Sequence, residues 1–250
     1  MIDRASKRNR LPNRPQARRT DRGKLGDEVA RQIEGDIIAQ GWPVGVVLGS
    51  EADLVKRYGV SRAIFREAVR LVEHHQIAVM RRGPGGGLVV TAPDAGSIAR
   101  SMALNLTYQN AGAADLVEAR IPVEVAAAQL AADRITDEGI AQLREARDRE
   151  RHLQRDLHLP GSHGIHQTIA ELSGNAPLRM FVEVLVRLTD ELLPGSRNGD
   201  ATQAVAHVHD CIVDAVIAGD SAVAAHHMRS HLRAMGEWLK ESTSSSHRVS

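Results

Sequence analysis

Apolar residues recur at helical spacing in two short segments around residue 60 of the 250-residue chain. In the second segment, five apolar positions follow the period of a helix and predict one buried face. These positions are Ile64, Phe65, Ala68, Val69 and Val72. Ser50 and Ser61 are placed to cap the two helices, and Gly59 suits the end of the first. The pattern therefore predicts two helices joined by a tight turn.

A β-hairpin is predicted directly after these helices. The apolar runs 77–80 and 88–90 are short enough for strands, and a glycine-rich segment with two arginines separates them. Glycine permits a tight return of the chain. With an earlier helix marked by Leu25, Val29, Ile33 and Ile37, residues 24–91 are predicted to form a winged helix-turn-helix.

After Thr91 the apolar pattern is helical, with no alternation typical of strands. Helices are predicted near 94–107, 113–133, 136–153, 162–174, 177–193, 201–218 and 220–241. The predicted fold is therefore mainly α, an N-terminal winged helix-turn-helix followed by an all-helical antiparallel bundle over 94–241. The basic segment 1–23 and the serine-rich segment 242–250 lack apolar periodicity and are expected to be disordered tails.

Charge divides the chain into two unlike parts. Residues 1–91 hold 17 Lys and Arg against 10 Asp and Glu, whereas residues 92–250 hold 15 against 21. A basic part beside an acidic part is typical of a DNA-binding module with a separate regulatory domain. The single cysteine, Cys211, excludes an internal disulfide framework and indicates a reducing cytoplasm. No apolar run approaches the ~20 residues of a membrane span, so no membrane partner is expected.

The second of the two short helices carries arginines on the face opposite its apolar stripe. Arg62, Arg66 and Arg70 are spaced at i, i+4 and i+8, and the first two lie in the opening turns. A recognition helix reads base edges with its N-terminal residues, and arginine can bind guanine with two parallel hydrogen bonds. The pattern therefore indicates double-stranded DNA as a partner. The basic residues before position 24 are expected to add salt-sensitive, non-specific DNA affinity, or to be only a solvated tail.

This first region resembles the winged helix-turn-helix of the GntR family of bacterial transcription regulators. The matching segments are Leu48–Glu51, Gly59–Arg62, Arg66–Ala68 and Arg81–Gly87. The resemblance implies DNA contacts by Arg62, Ala63, Arg66, Arg82 and Gly83. It also reveals two departures, because Gly49 stands where the family usually has proline and Ala52 where it usually has arginine. One expected phosphate or base contact is therefore missing.

Histidines are concentrated in the predicted bundle. Seven fall within one stretch of the sequence: His163, His166, His207, His209, His226, His227 and His231. A single helical histidine is usually a surface or capped residue, but several on facing helices can converge on a divalent metal. Spacing alone leaves both interpretations open.

Residues from about 94 to 240 resemble the FCD domain, the effector-binding bundle of FadR-type GntR regulators. The matching segments are 115–124, 165–175, 209–220 and 226–231. The resemblance implies one divalent metal, Zn²⁺ or Ni²⁺, bound by His166, His209 and His231. Ser162 occupies the position where many members have a fourth ligand, an aspartate. Three neutral imidazoles can still hold such an ion with open positions, and an anionic effector then becomes more important for completing its shell.

The effector site implied by this resemblance includes Arg120, Glu124 and Asn175. An arginine fork suits a planar carboxylate, so a small carboxylate metabolite is the expected ligand. The alternative for Arg120 and Glu124 is a surface ion pair at i, i+4, which contributes little to stability.

The sequence therefore predicts a ligand-responsive bacterial transcription regulator rather than an enzyme. We expect a cytoplasmic, nucleoid-associated homodimer, in which two recognition helices read a pseudo-palindromic operator and a small organic acid shifts the populations of two states. A repressor is the expected type, although the direction of regulation stays open. Two alternatives remain: a constitutive DNA-binding protein whose pocket has degenerated, and a metal-dependent hydrolase that would lack the HExxH spacing of metalloproteases.

Overall fold

A computed structural model describes residues 17–155, 163–192 and 199–246. The chain divides into two compact units, Met1–Ser97 and Ile98–Ser250. The described residues are mainly helical, with one two-stranded sheet in the first unit. Within these ranges, every helix is too short or too polar to span a lipid bilayer.

Between residues 17 and 90, the first unit contains three helices and a hairpin. Its elements are α1 (Ala17–Ala39), α2 (Glu51–Tyr58), α3 (Arg62–His74), β1 (Ala78–Arg81) and β2 (Gly87–Val90). The predicted caps are confirmed, because the Oγ atoms of Ser50 and Ser61 accept hydrogen bonds from the backbone N–H groups of Asp53 and Ile64. Gly59 ends α2 in the left-handed conformation, with φ of 64°.

The core of this unit is aliphatic, with one buried aromatic ring. Ile33 and Ile37 of α1 pack with Leu54 of α2, Phe65 of α3 and Leu88 of β2. The helix α3 buries the predicted apolar stripe at Phe65, Ala68, Val69 and Val72, whereas Ile64 is only half-buried. This packing fixes which face of α3 remains in solvent.

The hairpin folds back against the segment that precedes α2. Strands β1 and β2 are antiparallel, with Ala78 opposite Val90 and Arg81 opposite Gly87. A Cβ atom added at Gly87 would lie 2.3 Å from the carbonyl oxygen of Gly49, so only glycine permits this approach. Gly49 itself has φ of 152°, which a proline ring cannot adopt. A proline at position 49 would therefore not fit this backbone.

The described part of the second unit holds seven helices, of which the last six pack into a bundle. They are α4 (Ala95–Tyr108, which begins at the end of the first unit), α5 (Ala113–Asp133), α6 (Asp137–Arg155), α7 (His163–Leu172), α8 (Ala176–Leu192), α9 (Gly199–Ile217) and α10 (Ser221–Ser246). All seven match helices predicted from the sequence, with ends that differ by a few residues. The predicted ligand-position residue Ser162 lies outside the described residues.

Helix α5 lies at the centre of the bundle and packs against α7, α8, α9 and α10. Its alanines Ala128, Ala131 and Ala132 are buried, and their small side chains let neighbouring helices approach closely. Helix α6 packs against α7 and α9. These contacts bring side chains from four helices (α6, α7, α9 and α10) and from α5 toward one buried region.

Two expectations about the tails were partly wrong. Helix α1 begins at Ala17 rather than near Leu25, and α10 continues to Ser246 rather than ending near 241. A helix that is already nucleated gains one hydrogen bond for each added residue and needs no apolar face to extend. Alanine and arginine in the α1 extension also have good helix propensity. Residues 1–16 and 247–250 lie outside the described residues.

Candidate metal centre and nucleic-acid surface

Three histidines from different helices converge in the second unit. They are His166 of α7, His209 of α9 and His231 of α10, and all three are buried. The Nε2 atom of His209 lies 3.3 Å from Nε2 of His166 and 3.2 Å from Nε2 of His231. One nitrogen from each ring lies within 4.8 Å of the other two. The predicted set of three histidines is therefore brought together by the fold.

Two of these rings are oriented by buried carboxylates. Nδ1 of His209 lies 2.8 Å and 3.0 Å from the two oxygens of Glu150, and Nδ1 of His166 contacts Oε2 of Glu124. A carboxylate only accepts hydrogen bonds, so each Nδ1 carries the proton and donates it. In the neutral rings, the lone pairs of both Nε2 atoms then face each other.

Facing lone pairs repel unless a cation lies between them, which is the arrangement of a carboxylate–histidine–metal site. Bonds of about 2.0–2.1 Å to a tetrahedral metal place two nitrogen ligands roughly 3.3–3.4 Å apart. The observed separations of 3.3 Å and 3.2 Å are close to that value. The donor set and its spacing therefore fit a divalent ion such as Zn²⁺ or Ni²⁺.

Burial keeps the imidazoles in the form that binds metal. Burial lowers the pKa of His166 to about 4, although the neighbouring Glu124 opposes the change. Burial also lowers the pKa of His231 well below its usual value, and the two adjacent imidazoles lower it further. Both rings are therefore neutral at pH 7, with a lone pair available to a metal.

Arg120 and Glu124 form a buried pair beside the histidines. Nε of Arg120 donates to Oε1 of Glu124 at 2.5 Å, and the two side chains are 0% and 1% exposed. The interpretation of this pair as a surface ion pair is therefore wrong, because the face of the central helix α5 that carries both residues is buried in the bundle. Burial alone would raise the pKa of Glu124, but charges and hydrogen bonds from His166 and Arg120 lower it to about 2. Since His166 is neutral at pH 7, Arg120 is the cation that keeps this carboxylate ionised.

The guanidinium of Arg120 is incompletely satisfied. Its Nη1 contacts the sulfur of Met235 at 3.8 Å, and its Nη2 is buried with no hydrogen-bond partner among the described residues. A buried donor without a partner costs roughly 1–3 kcal/mol. An anionic ligand is the kind of group that would satisfy this donor.

Asn175 caps a helix. Its Oδ1 accepts a hydrogen bond from the backbone N–H of Leu178, which caps the start of α8. Its own backbone N–H donates to Oγ of Ser173. These bonds place Asn175 in the cap of α8, and its part in an effector site stays a prediction.

Glu150 was missed by the sequence analysis. It lies in a helix rich in charged residues, where a glutamate is normally in solvent. The useful signal was its spacing, because Leu143, Ala146 and Glu150 follow one another at i, i+3 and i+7 on one face, and all three are buried. The role of Glu124 was also only partly predicted, since its contact with His166 joins residues 42 positions apart.

The five predicted DNA contacts are all solvent-exposed in the first unit: Arg62, Ala63, Arg66, Arg82 and Gly83. Nε of Arg66 lies 2.9 Å from Oε1 of Glu51, so a carboxylate of α2 holds this guanidinium in place. Arg70, one turn further along α3, pairs with Glu67 at 3.1 Å. The solvent-facing position of the arginines on α3 is confirmed, whereas their contact with DNA stays a prediction.

Comparison with known proteins adds independent information on both units. Residues 115–234 match the FCD domain. The chain is 27% identical over 236 residues to the HTH-type transcriptional repressor NanR of Enterobacter sp. (strain 638), which covers 90% of this chain and 87% of the relative. It is 25% identical over 217 residues to the putative L-lactate dehydrogenase operon regulatory protein of Escherichia coli (strain K12), covering 84% of each.

Among solved structures, a GntR protein from Streptococcus agalactiae has a TM-score of 0.67 and 21% sequence identity, covering 85% of this chain and 99% of that protein. This likeness confirms the predicted fold class, a mainly helical protein with an N-terminal winged helix-turn-helix. The two relatives named above are transcription regulators. The three histidines lie within the part of this chain that matches the FCD domain.

Proposed function

We propose that this chain is a ligand-responsive bacterial transcription regulator of the GntR family, in its FadR-type subgroup. It binds a pseudo-palindromic operator as a homodimer and responds to a small organic acid. The observation that carries the proposal is the exposed arginine face of α3, in a chain whose other unit buries a three-histidine centre beside Arg120. Similarity to the repressor NanR supports regulation by repression.

DNA recognition is assigned to α3 and the hairpin. The buried stripe of α3 fixes its orientation, so that Arg62 and Arg66 are presented together from its first turns. Each can bind O6 and N7 of a guanine, and the backbone and side chain of Ala63 lie between them. Arg82 and Gly83 at the tip of the hairpin are assigned to phosphates or the minor groove. A dimer would present two such surfaces to two half-sites.

Effector recognition is assigned to the buried centre. His166, His209 and His231 would hold Zn²⁺ or Ni²⁺, which supplies open positions for a carboxylate oxygen when bound. Arg120 contributes its buried Nη2, which has no partner in Glu124, and this group orients the carboxylate of the effector by hydrogen bonding. Glu124 holds Arg120 and His166 in fixed positions. A ligand that binds better to one state of the dimer shifts the population toward that state.

The test begins with DNA sites that the untagged protein selects from fragments of a bacterial genome. Fluorescence anisotropy then measures affinity for the selected site with and without each member of a panel of small carboxylates. We expect at least one acid to change the affinity, and genes beside the site should indicate its metabolic class. Selective DNA binding that no acid alters, together with an unchanged melting temperature for every acid, would instead support a constitutive DNA-binding protein. Absence of any selected site would reject the regulator.

A further inference from the structure

The buried charges of the second unit do not balance. Among the described residues, the charged side chains classed as buried, leaving the histidines aside, are Arg120, Glu124 and Glu150. One cation and two anions leave a net charge of −1 within the centre, because the three imidazoles are uncharged in the metal-binding form. An isolated buried charge is costly unless it is paired or coordinates a metal.

The two glutamates differ in their partners. One oxygen of Glu124 accepts from Arg120 and the other from His166, so a cation already compensates this carboxylate. Both oxygens of Glu150 are directed at Nδ1 of His209. The unbalanced negative charge therefore belongs to Glu150.

Two arginines that lie near Glu150 in the sequence of α6 are paired with other residues. Arg147 binds Asp214 at 3.1 Å, and Arg151 binds Asp210 at 2.8 Å. Both of these aspartates are on α9, the helix that carries His209. These two pairs join α6 to α9, and within the described part of the chain no arginine or lysine forms an ion pair with Glu150.

We infer that Glu150 is a positioning residue of the metal centre, whose negative charge acts through His209 to let three neutral imidazoles retain a divalent cation. The inference rests on the proposed metal site and adds a residue to it. A carboxylate bound to Nδ1 fixes the ring tautomer and makes Nε2 a stronger donor, and loss of such a partner typically weakens metal binding about 10- to 100-fold.

The charge and the hydrogen bond can be separated by substitution. Glu150→Gln keeps an oxygen that accepts from Nδ1 and nearly the same shape, but it removes the charge. Glu150→Asp keeps the charge on a shorter side chain. Glu145→Gln is the matched control, since it removes the same charge from an exposed position on the same helix.

The dissociation constant for Zn²⁺, and separately for Ni²⁺, is measured by competition with a chromophoric chelator on the full-length, untagged chain. We expect Glu150→Gln to weaken binding by about tenfold or more, Glu150→Asp to weaken it less, and Glu145→Gln to leave it within twofold of the wild type. Affinity of Glu150→Gln within twofold of the wild type would overturn the role of its charge.

Melting of the metal-free protein provides a second readout. Removal of an uncompensated buried charge does not destabilise a protein, so the melting temperature of Glu150→Gln should equal or exceed that of the wild type. Glu124→Gln breaks a compensated pair and should lower it by roughly 5–15 °C. A fall of that size, or a failure to fold, for Glu150→Gln would overturn the inference in favour of a structural role.

The outcomes also separate this inference from the proposed function. If the wild type binds neither ion, the metal centre and the role of Glu150 are both wrong, and the part assigned to the metal in effector binding is lost with them. DNA binding, and whether any acid alters it, are tested separately by the anisotropy measurements. If the wild type binds metal and Glu150→Gln binds it equally well, only the role of Glu150 is lost.

Discussion

The two units use arginine in opposite ways. On α3 of the first unit, Arg62 and Arg66 lie in solvent and cost the fold little, because water and surface carboxylates satisfy them. On α5 of the second unit, Arg120 is completely buried and depends on Glu124 for compensation. Two exposed arginines can contact a large polyanion such as DNA, which binds and dissociates without entering the protein. A buried guanidinium suits a single small anion of fixed geometry. The same side chain therefore indicates two different partners.

The largest expected effect follows from removal of both exposed arginines. The double substitution Arg62→Ala, Arg66→Ala should weaken binding to a selected DNA site by roughly a hundred- to ten-thousandfold, since each bidentate contact discriminates by roughly 1–3 kcal/mol. Affinity for unrelated DNA should fall much less. Anisotropy titrations at one fixed salt concentration measure both constants.

Arg31→Ala is the matched control, because Arg31 is exposed on α1 and its ion pair among the described residues is with Glu28, on the surface of the same helix. It should bind the selected site as the wild type does. The melting temperatures of all variants should be nearly unchanged. Equal losses for selected and unrelated DNA would mean that Arg62 and Arg66 contact phosphates and do not read bases.

Substitution of the buried arginine, Arg120, should change the stability of the fold, whereas substitution of the exposed arginines should not. Arg120→Ala leaves Glu124 ionisable and without its cation, and breaking a buried pair typically costs roughly 3–5 kcal/mol. The free energy of unfolding of the second unit, measured by urea titration, should fall by about that amount. A loss as small as that of Arg31→Ala would contradict the proposed dependence on Arg120.

The effector response of Arg120 variants can be tested without losing the fold. Arg120→Lys retains a cation for Glu124 but lacks the planar fork that matches a carboxylate. It should bind the selected DNA with wild-type affinity and lose most of the response to the acid. A full response in this variant would show that the fork is not needed.

The two sites differ in how far they could be predicted from the sequence. The α3 surface was predictable because its residues lie close together in the sequence. The apolar residues of one face and the arginines of the other each recur at helical spacing. The buried centre depends on contacts across 43 and 22 positions, between His166 and His209 and between His209 and His231. Local periodicity contains no information on such distances, and only the family resemblance selected these three histidines.

Glu150 was predicted by neither route, although its spacing from Leu143 and Ala146 indicates a buried position. Its helix is dominated by charged residues, and a charged residue is placed in solvent by default because burial without a partner is unfavourable. Only the packing of α6 against α9 supplies the partner, His209. The extended ends of α1 and α10 were missed for a different reason, since helix propagation needs no tertiary contact that a pattern would reveal.

Metal removal should affect one unit and leave the other unchanged. A metal held at a hundred to a thousand times its dissociation constant stabilises the folded protein by about 2.7–4.1 kcal/mol. Chelation should therefore lower the melting transition of the second unit by roughly 5–15 °C, measured by calorimetry on the untagged protein. The transition of the first unit should not move. His209→Ala should melt at one temperature with and without chelator, whereas the exposed His226→Ala should respond as the wild type does.

The smallest effect concerns a partly buried hydrogen bond from a phenol to a carboxylate in the first unit. The hydroxyl of Tyr58 donates to Oδ2 of Asp36 at 2.8 Å, and Asp36 also binds Arg57 at 3.0 Å. Tyr58→Phe keeps the ring, which stacks near Phe65, and leaves Asp36 paired with Arg57. Hydrogen bonds to charged groups contribute roughly 1.5–3 kcal/mol, and this contact is only partly buried. The cost in the urea unfolding of this unit should therefore lie at the low end, about 1.5 kcal/mol.

The pH dependence of that cost identifies its cause. Burial, together with the hydrogen bond and the charge of Asp36, raises the pKa of Tyr58 well above its usual value of 10.0, although Arg57 opposes the change. A raised pKa in the folded state gives stability that is complete below the unfolded pKa and declines as pH rises past it, because the unfolded chain then releases the proton first. The stability difference between wild type and Tyr58→Phe should thus be constant from pH 7 to 9 and shrink above about pH 10. A difference that stays constant through pH 11 would mean that the phenol is not shielded, and the contact with Asp36 would then be as solvent-exposed as the arginines of α3.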